Sequence, residues 1–306
     1  MRYVVTGGAG FIGSNLAEEL AQSHDVVILD NLMTGSRANI QDISGHVSFV
    51  EGSVTDLPLL REIFTGADGV YHQAAIASVP RSVANPLATN EANVTGTLHV
   101  LVAARDCGVR KVVAASSSSV YGDTPTLPKS EDMHPHPLSP YAVSKLACEH
   151  YCSVFSDLYG IETACLRYFN VFGPRQDPNS EYAAVIPKFI TRLLRNEPPV
   201  IYGDGGQTRD FTYVKDVAAA NIRAMESDAA GVFNIACGYR ISLNELASLM
   251  MEIIGFRIDP VYEDPRPGDI RDSLADISKA RAAFGFSPSY SLHDGLAETI
   301  AWYKSR

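Results

Sequence analysis

A glycine-rich stretch between a strand pattern and a helix pattern constrains the fold of this chain more than any other feature. In "VVTGGAGFIGSNL" (4–16), Gly7, Gly10 and Gly13 follow an apolar run and open a helical segment. Each glycine has its own reason to lack a Cβ. One allows the tight turn, a second lets the backbone approach a pyrophosphate closely, and a third lets the helix pack on the strand. The N–H groups and positive dipole end at the helix start favour an anion. The stretch therefore predicts a dinucleotide site in a βαβ fold.

Apolar runs and helical patterns alternate through the first half of the chain. The runs rich in Val, Ile and Leu predict strands at 3–6, 26–30, 47–52, 69–75, 111–116 and 163–168. The segments between them predict helices at 15–22, 57–64, 93–107 and 141–159. Strands that are apolar on both faces, with helices between them, indicate a parallel sheet covered on both sides. The predicted fold class is therefore α/β, a Rossmann-type doubly wound parallel sheet.

The composition of the sequence changes after residue 168, where Pro and Gly become frequent. Further helices are predicted at 186–195, 242–254 and 293–304. We interpret residues 1–168 as the dinucleotide-binding domain. Residues 169–207 and 237–306 are interpreted as a smaller α/β C-terminal lobe that binds substrate, and residues 208–236 are expected to pack back on the sheet.

Composition argues against several classes of function. The chain has 306 residues, is 46% hydrophobic and carries a net charge of −10, a balance that disfavours nucleic acid and anionic membrane surfaces as partners. No apolar run approaches the length of about 18 residues that a membrane span needs, and no signal-peptide pattern precedes the first strand. The five cysteines form no C-x-x-C pair, which indicates the reducing cytoplasm. Cys148 and Cys152, with His150 beside them, are interpreted as buried helix residues, and no metal site is predicted.

Asp30 ends the second predicted strand and bears on the choice of dinucleotide. A carboxylate at this place hydrogen-bonds the ribose hydroxyls of the adenosine, and it would repel a 2′-phosphate. The predicted cofactor is therefore NAD rather than NADP.

Tyr141 and Lys145 share one face of the predicted helix 141–159, because they lie four residues apart. Ser139 suits the N-cap and Pro140 the first helical position, which places the tyrosine in the first turn. A tyrosine that acts as a general base must ionise well below the usual tyrosine pKa of about 10, and a neighbouring ammonium group and the helix dipole both favour this. The pair is a candidate for proton transfer, although the same spacing also occurs by chance on surface helices.

Four serines, Ser116 to Ser119, follow the fifth predicted strand at the carboxyl edge of the sheet. Ligands of open α/β sheets bind outside this edge, so a hydroxyl there can bridge a substrate alcohol and Tyr141. Because side chains alternate along a strand end, only some of the four can face the cleft.

Together, the glycine motif, Asp30, the serine run and the Tyr-x-x-x-Lys pair resemble the extended short-chain dehydrogenase/reductase superfamily. Four stretches are similar to its UDP-hexose 4-epimerase branch, above all to members that act on N-acetylated sugars: "ASSSSVYGD" (115–123), "RYFNVFGPRQDP" (167–178), "GDGGQTRDF" (203–211) and "PRPGDIRDSLAD" (265–276). The resemblance implies an isomerase with tightly bound NAD that oxidises C4 of a UDP-sugar to a transient ketone and reduces it from the other face. It also implies a homodimer.

The resemblance further implies roles for individual residues. Ser117, counted back from "VYG", matches the catalytic serine, Tyr141 matches the base and Lys145 its partner. The positions that match NAD contacts are Gly7, Gly10, Phe11, Ile12, Gly13, Asp30, Asn31, Gly35, Ser53, Val54, Gln73, Ala74, Ala75, Asn93, Tyr141, Lys145 and Tyr168. The positions that match contacts with the UDP-sugar are Ser78, Val79, Ser117, Ser118, Asn170, Ala184, Val185, Tyr202, Arg209, Arg266, Asp269 and Ser273.

Two positions depart from the family pattern. Ser53 stands where the family often has an aspartate that holds the adenine amine, and no lysine follows the loop at 73–75, as it often does in epimerases of plain hexoses. Ser273 falls where a large aromatic residue would exclude an N-acetyl group. The expected substrates are therefore UDP-GlcNAc and UDP-GalNAc, with UDP-Glc and UDP-Gal also accepted. Ser118 and Ser78 are candidates to bind the acetamido group.

Related activities remain as alternatives. Sugar-nucleotide 4,6-dehydratases carry an acidic pair where this chain has Ser118 and Ser119, and UDP-glucuronate decarboxylases usually place a glutamate in that loop. A UDP-glucuronate 4-epimerase can share "SSSSVYG" and is the main alternative, but it would need a carboxylate-binding group in the sugar pocket. A catalytically silent NAD-binding protein is disfavoured because Ser117, Tyr141 and Lys145 are all present.

The predicted helix 141–159 is apolar on most of its sides, and such a helix is buried on more than one side. Together with the helix at 93–107 it forms either a seam between two subunits or a deeply buried part of one subunit. The sequence leaves both interpretations open.

Overall fold

A computed structural model describes residues 1–178, 184–265 and 270–306 of the chain. The strands within these ranges are β1 (Arg2–Thr6), β2 (Asp25–Asp30), β3 (Ser48–Glu51), β4 (Gly69–His72), β5 (Lys111–Ser117), β6 (Glu162–Tyr168), β7 (Val171–Phe172), β8 (Val200–Tyr202), β9 (Thr208–Arg209), β10 (Thr212–Tyr213), β11 (Gly231–Ile235), β12 (Ile241–Ser242) and β13 (Val261–Glu263). The α-helices are α1 (Phe11–Ala21), α2 (Leu57–Phe64), α3 (Val79–Ala84), α4 (Pro86–Asn90), α5 (Gly96–Asp106), α6 (Pro140–Tyr159), α7 (Val185–Leu194), α8 (Val214–Glu226), α9 (Leu243–Ile254), α10 (Ser278–Phe284) and α11 (Leu292–Lys304).

Seven parallel strands form the main sheet, in the order β3-β2-β1-β4-β5-β6-β11. The predicted Rossmann-type α/β fold is confirmed. β1 lies between β2 and β4, with Tyr3 opposite both Val26 and Gly69. The chain reverses its direction of progress across the sheet at this point, so the loops after β1 and β4 diverge and leave a crevice at the carboxyl ends of the strands.

The strands are apolar on both faces because helices cover both. Val4 packs into one core cluster and its neighbour Val5 into another, and Val112 and Val113 divide in the same way. One cluster lies beneath α1 and α8, and the other lies beneath α2 and α5. This is the arrangement that the continuous Val- and Ile-rich runs predict.

Three element boundaries differ from the sequence-based predictions by three residues or more, all at the crevice. α1 begins at Phe11 rather than at residue 15, because Gly10 serves as its N-cap and Gly13 lies inside it. β4 ends at His72, three residues before the predicted end, because the chain then turns across the glycine loop. The first residues of the predicted helix 93–107 belong instead to a π-helical turn, Glu91–Thr95, and α5 begins at Gly96.

A third core cluster lies in the remaining elements, where α7, α9 and α11 contact one another around Phe172, Leu193, Met250 and Leu296. Short strand pairs join this region: β7 with β10, β8 with β13 and β9 with β12. The chain leaves the main sheet after β6 and returns to it as β11, whose Ile235 lies opposite Tyr168. No helix within the described ranges is long and apolar enough to cross a membrane.

Candidate active site

The crevice at the carboxyl ends of β1, β4 and β5 holds a cavity of about 440 Å³. Most of the residues predicted to contact NAD line this cavity. They are Gly7, Gly10, Phe11, Ile12, Gly13, Asp30, Asn31, Ser53, Val54, Gln73, Ala74, Ala75, Tyr141, Lys145 and Tyr168. Its lining also includes Glu91 and Ser116, neither of which was predicted to contact NAD. The wall is mainly apolar and carries a few polar groups, as in most cofactor sites.

The glycine loop forms a backbone cradle that side chains would fill. Gly7 has a φ of +70°, and a Cβ on it would lie 2.6 Å from the Ala74 nitrogen. A Cβ on Gly13 would lie 2.2 Å from the Gly7 carbonyl oxygen. The N-cap residue Gly10 has no side chain to cap α1, so the first N–H groups of the helix have no capping acceptor there, beside the cavity that Phe11, Ile12 and Gly13 line. These features fit the pyrophosphate of a dinucleotide such as NAD.

Asp30 is held at the rim of this cavity by backbone donors. Its Oδ2 accepts a hydrogen bond from the Ala9 nitrogen at 2.9 Å, and its Oδ1 accepts one from the Leu32 nitrogen at 2.8 Å. Gly35 does not line the cavity. A Cβ on Gly35 would lie 2.9 Å from both carboxylate oxygens, so this glycine leaves space for Asp30.

Asn93 lies behind the cavity rather than in its wall. Its Oδ1 accepts a hydrogen bond from the Ile76 nitrogen at 2.8 Å, and its Nδ2 donates to Ser144 Oγ at 2.9 Å. Asn93 therefore joins the loop after β4 to α6, and Ile76 reaches the cavity in its place. Ser53 lies in the wall, with its hydroxyl 2.8 Å from Thr55 Oγ1.

Tyr141 and Lys145 lie at the start of α6, as predicted. Ser139 is the N-cap, and its Oγ accepts a hydrogen bond from the Ala142 nitrogen at 3.1 Å. Lys145 is buried, and its Nζ donates to the Ala115 carbonyl oxygen of β5 at 2.8 Å. The same Nζ lies 6.0 Å from the centroid of the Tyr141 ring.

Tyr168, the second tyrosine of the cavity wall, is held by a different set of partners. Its hydroxyl donates to Gln73 Oε1 at 3.1 Å and accepts a hydrogen bond from Asn221 Nδ2 at 2.9 Å. Burial raises the pKa of Tyr168 above its ordinary value, which keeps this phenol neutral. Of the two tyrosines in this wall, Tyr141 is therefore the one that stays a candidate for proton exchange.

The four serines of the run have different environments. Ser116 lines the cavity and donates a hydrogen bond to Glu149 of α6. Ser117 ends β5, and its Oγ accepts a hydrogen bond from the Ser119 nitrogen at 3.1 Å, which caps the short 3₁₀ turn Ser118–Tyr121. Neither Ser117 nor Ser118 is among the residues that line the cavity of the described structure.

A second cavity, of about 250 Å³, lies among the elements after β6. Five residues predicted to contact the UDP-sugar line it: Asn170, Ala184, Val185, Tyr202 and Arg209. Phe172, Phe189 and Phe211 complete an aromatic wall that suits a planar base. Asn170 Nδ2 donates to the Asp210 carbonyl oxygen at 2.9 Å.

The other predicted substrate contacts that fall within the described residues line neither cavity. Ser78 is the N-cap of α3, where its Oγ accepts a hydrogen bond from the Arg81 nitrogen, and Val79 is exposed. Ser273 is half-buried, and its nitrogen donates to the Thr208 carbonyl oxygen at 3.1 Å. Arg266 and Asp269 lie outside the described residues. Within the described ranges, no group of three or more His, Cys, Asp or Glu side chains is placed to hold a metal ion.

His72, at the end of β4, is a buried neutral group beneath the site. Its ring nitrogens lie 2.7 Å from Thr6 Oγ1 and 2.9 Å from Thr97 Oγ1. Burial, reinforced by the positive charge of Lys145, lowers the pKa of His72 from 6.5 to about 3. The unfolded chain therefore binds a proton here that the folded chain does not, and the stability of the fold falls as the pH drops from 6.5 toward 3.

We expect the His72→Gln variant to show a weaker loss of stability in acid. One such group contributes about 1.4 kcal/mol per pH unit, so the free energy of unfolding of the wild type should fall by roughly 2 kcal/mol more than that of the variant between pH 6.5 and about pH 4.5. Urea unfolding across this pH range measures both. Replacement of the exposed His46 by Gln is the control, and parallel curves for wild type and His72→Gln would contradict the expectation.

The chain is similar to known proteins in both sequence and fold. The profile of the NAD dependent epimerase/dehydratase family matches residues 3–236. A UDP-glucose 4-epimerase of Mycolicibacterium smegmatis is 40% identical over an alignment 314 residues long, which covers 100% of this chain and 99% of that protein. The UDP-N-acetylglucosamine 4-epimerase from Methanobrevibacter ruminantium M1, solved in complex with UDP-N-acetylmuramic acid, is 45% identical with a TM-score of 0.97, covering 99% and 98% of the two chains.

A third relative is a UDP-glucuronic acid 4-epimerase from Bacillus cereus, whose structure contains UDP-glucuronic acid and NAD. It is 34% identical with a TM-score of 0.92, and the match covers 100% of this chain and 99% of that one.

Proposed function

Because the chain belongs to the NAD-dependent epimerase/dehydratase family and is a UDP-sugar 4-epimerase, we propose that it interconverts UDP-GlcNAc with UDP-GalNAc and also UDP-glucose with UDP-galactose. One observation carries the assignment of the chemistry: the ammonium of Lys145 is fixed beside the Tyr141 ring in the wall of a cavity whose glycine cradle fits NAD.

The residues of the chain divide the work of the reaction. NAD, when bound, supplies a hydride acceptor at the sugar carbon and later returns the hydride. Tyr141, as phenolate, takes the proton of the C4 hydroxyl, and Lys145 stabilises that phenolate. Ser117, at the end of β5, holds the same hydroxyl. The 4-keto sugar then turns within the site before reduction.

The second cavity is proposed to hold the UDP part of the substrate in place while the sugar turns. Its aromatic wall accommodates the uracil ring, and Arg209 lies in its lining to face the diphosphate. Arg266 and Asp269 are proposed to add contacts with the diphosphate and the uridine ribose. Strong binding of UDP lets the sugar move freely at the other end without leaving the enzyme.

Acceptance of the N-acetyl group is proposed to depend on Ser273. Its small side chain leaves space that a tyrosine would fill, and Ser118 and Ser78 are proposed to bind the acetamido group. The relative from M. ruminantium, a UDP-N-acetylglucosamine 4-epimerase, supports this choice, whereas the relative from B. cereus makes UDP-glucuronate the competing substrate.

We expect Ser273→Tyr to lower the turnover of UDP-GlcNAc and UDP-GalNAc by about 100-fold or more. Turnover of UDP-galactose should be spared, because the tyrosine ring excludes only the N-acetyl group. NMR can follow the C4 epimer formed from UDP-GlcNAc, UDP-glucose and UDP-glucuronate in separate reactions. Ser273→Ala, which keeps the space, is the control. Equal loss or equal retention of both sugar types in Ser273→Tyr would refute the gating role, and turnover of UDP-glucuronate alone by the wild type would refute the substrate assignment.

We also propose that the enzyme is a cytoplasmic homodimer. Both faces of α6 are now accounted for: Cys148 and Cys152 face the core, whereas Val154 and Leu158 are 47% and 69% exposed. An exposed apolar stripe on a long helix supports a subunit seam. All five cysteines are free thiols, which supports a reducing compartment. Sedimentation equilibrium would measure the mass of the assembly.

A further inference from the structure

A buried ion pair lies beneath the carboxyl end of β5. Arg167 of β6 donates to Glu149 of α6 through Nε at 2.8 Å and through Nη2 at 2.7 Å. Both side chains are only 4% exposed. The Arg167 guanidinium also lies over the Tyr121 ring, 4.7 Å from its centroid. The carboxylate of Glu149 is thereby fixed in position and orientation.

This carboxylate contacts the strand end that carries the serine run. Ser116 Oγ donates to Glu149 Oε1, the oxygen that also accepts the bond from Arg167 Nε. The residue before Ser116 supplies the carbonyl oxygen that holds Lys145, and the residue after it is Ser117. Lys145 and Glu149 lie one turn apart on the same face of α6. Two adjacent residues of β5 are therefore attached to two successive turns of the helix that carries Tyr141.

Stability alone is a weak reason to keep such a pair. Burial removes both charges from water, and replacement of a buried ion pair by apolar side chains of similar volume is often neutral or stabilising. What apolar side chains cannot replace is the acceptor for Ser116. A charged acceptor gives a shorter and stronger hydrogen bond than a neutral one, and a bidentate arginine fixes its geometry.

We propose that Glu149, held by Arg167, is a positioning residue for the epimerase reaction. Through Ser116 it fixes the end of β5 against α6, so that Ser117, Lys145 and Tyr141 keep one geometry during proton transfer. The proposal rests on the function proposed above. Glu149 and Arg167 are not among the residues that line either cavity of the described structure, so their effect reaches the reaction only through the strand and the helix.

Two double variants that differ in one group test this role. Glu149→Gln with Arg167→Met removes both charges and keeps an oxygen that accepts the Ser116 hydrogen bond. Glu149→Met with Arg167→Met has the same shape without that acceptor. Neither leaves an unpaired buried charge. We expect the Gln variant to keep kcat within about threefold of the wild type and the Met variant to lose at least about tenfold, with KM for the UDP-sugar unchanged in both.

The outcomes decide between positioning and packing. Equal kcat in the two double variants, whether both fall or both stay high, overturns the proposal, as does a loss that appears in KM rather than in kcat. Rates are expressed per bound NAD, so that partial unfolding does not count as lost turnover. If either double variant fails to fold, the comparison of Ser116→Ala with Ser116→Thr takes its place, and a deficit in Ala that Thr does not rescue overturns the proposal.

A second readout separates this proposal from the proposed function. Crystal structures of the two double variants give the distance between Lys145 Nζ and the Ala115 oxygen, which is 2.8 Å in the wild type. We expect this contact to persist in the Gln variant and to open in the Met variant. Lack of turnover of any UDP-hexose by the wild type would refute the function, whereas an unchanged contact in the Met variant would refute positioning whatever the substrate.

Discussion

Replacement of Tyr141 by Phe is expected to lower kcat by about 10³-fold or more while binding of the UDP-sugar is retained. General acid–base catalysis by a positioned side chain contributes about 10²- to 10⁴-fold, and the phenol oxygen is the group that this wall of the cavity offers for the purpose. The ring remains in place, and the second cavity is untouched. The rate of C4 epimer formation by NMR gives kcat, and titration calorimetry with UDP gives the affinity.

Tyr239→Phe is the matched control for this variant. Tyr239 is 63% exposed and is not among the residues that line either cavity of the described structure. The same hydroxyl is removed there without an expected change in rate. If Tyr141→Phe keeps more than about a tenth of the wild-type kcat, another group accepts the proton, and the role given to Lys145 would fail as well.

Gly13→Ala is expected to yield protein that contains at least about tenfold less NAD than the wild type and unfolds at lower temperature. Within a helix, alanine is favoured over glycine by about 1 kcal/mol, so propensity alone predicts a gain. The added Cβ would lie 2.2 Å from the Gly7 oxygen and 2.8 Å from the Gly7 carbonyl carbon, which are backbone atoms that cannot rotate away. α1 must therefore move away from the loop, and overpacking of this kind costs about 1–3 kcal/mol.

Cofactor released by acid and quantified by chromatography measures the effect of this change. Gly45→Ala makes the same chemical change at an exposed position where a Cβ would have nothing within 4 Å, and it should keep its NAD. A full complement of NAD in Gly13→Ala would mean that the cradle is wider in solution than its backbone geometry implies.

The sequence predicted the sheet because its strands carry apolar residues on both faces, and such strands have few alternatives to burial on both sides. Asp30, Tyr141 and Lys145 were predictable for a similar reason, since each is fixed by a local pattern: the end of a strand or the first turn of a capped helix. The glycine loop was predictable in position, although α1 begins four residues earlier than its apolar pattern suggests.

Contacts between distant elements were not predictable in this way. Glu149 and Arg167 lie on a helix and a strand, and each alone resembles a solvated surface charge in the sequence. Asn93 and Gly35 were predicted to contact NAD, but the structure places them behind the cavity wall, supporting Ile76 and Asp30. Spacing along the chain indicates which residues lie near a binding site. Only the packing of helices and strands shows which of those residues line the cavity.

Because the chain returns to the main sheet as β11, the dinucleotide-binding part cannot be separated by truncation after β6. β6 pairs with β5 on one side and with β11 on the other, so it has no free edge. A chain that ended at Tyr168 would expose the backbone N–H and C=O groups of β6, together with apolar side chains such as Leu166, along a flat strand. Exposed edges of this kind pair with other chains and lead to aggregation. The dinucleotide-binding half thus depends for its solubility on a strand that is made some sixty residues later, after much of the second cavity has already been synthesised.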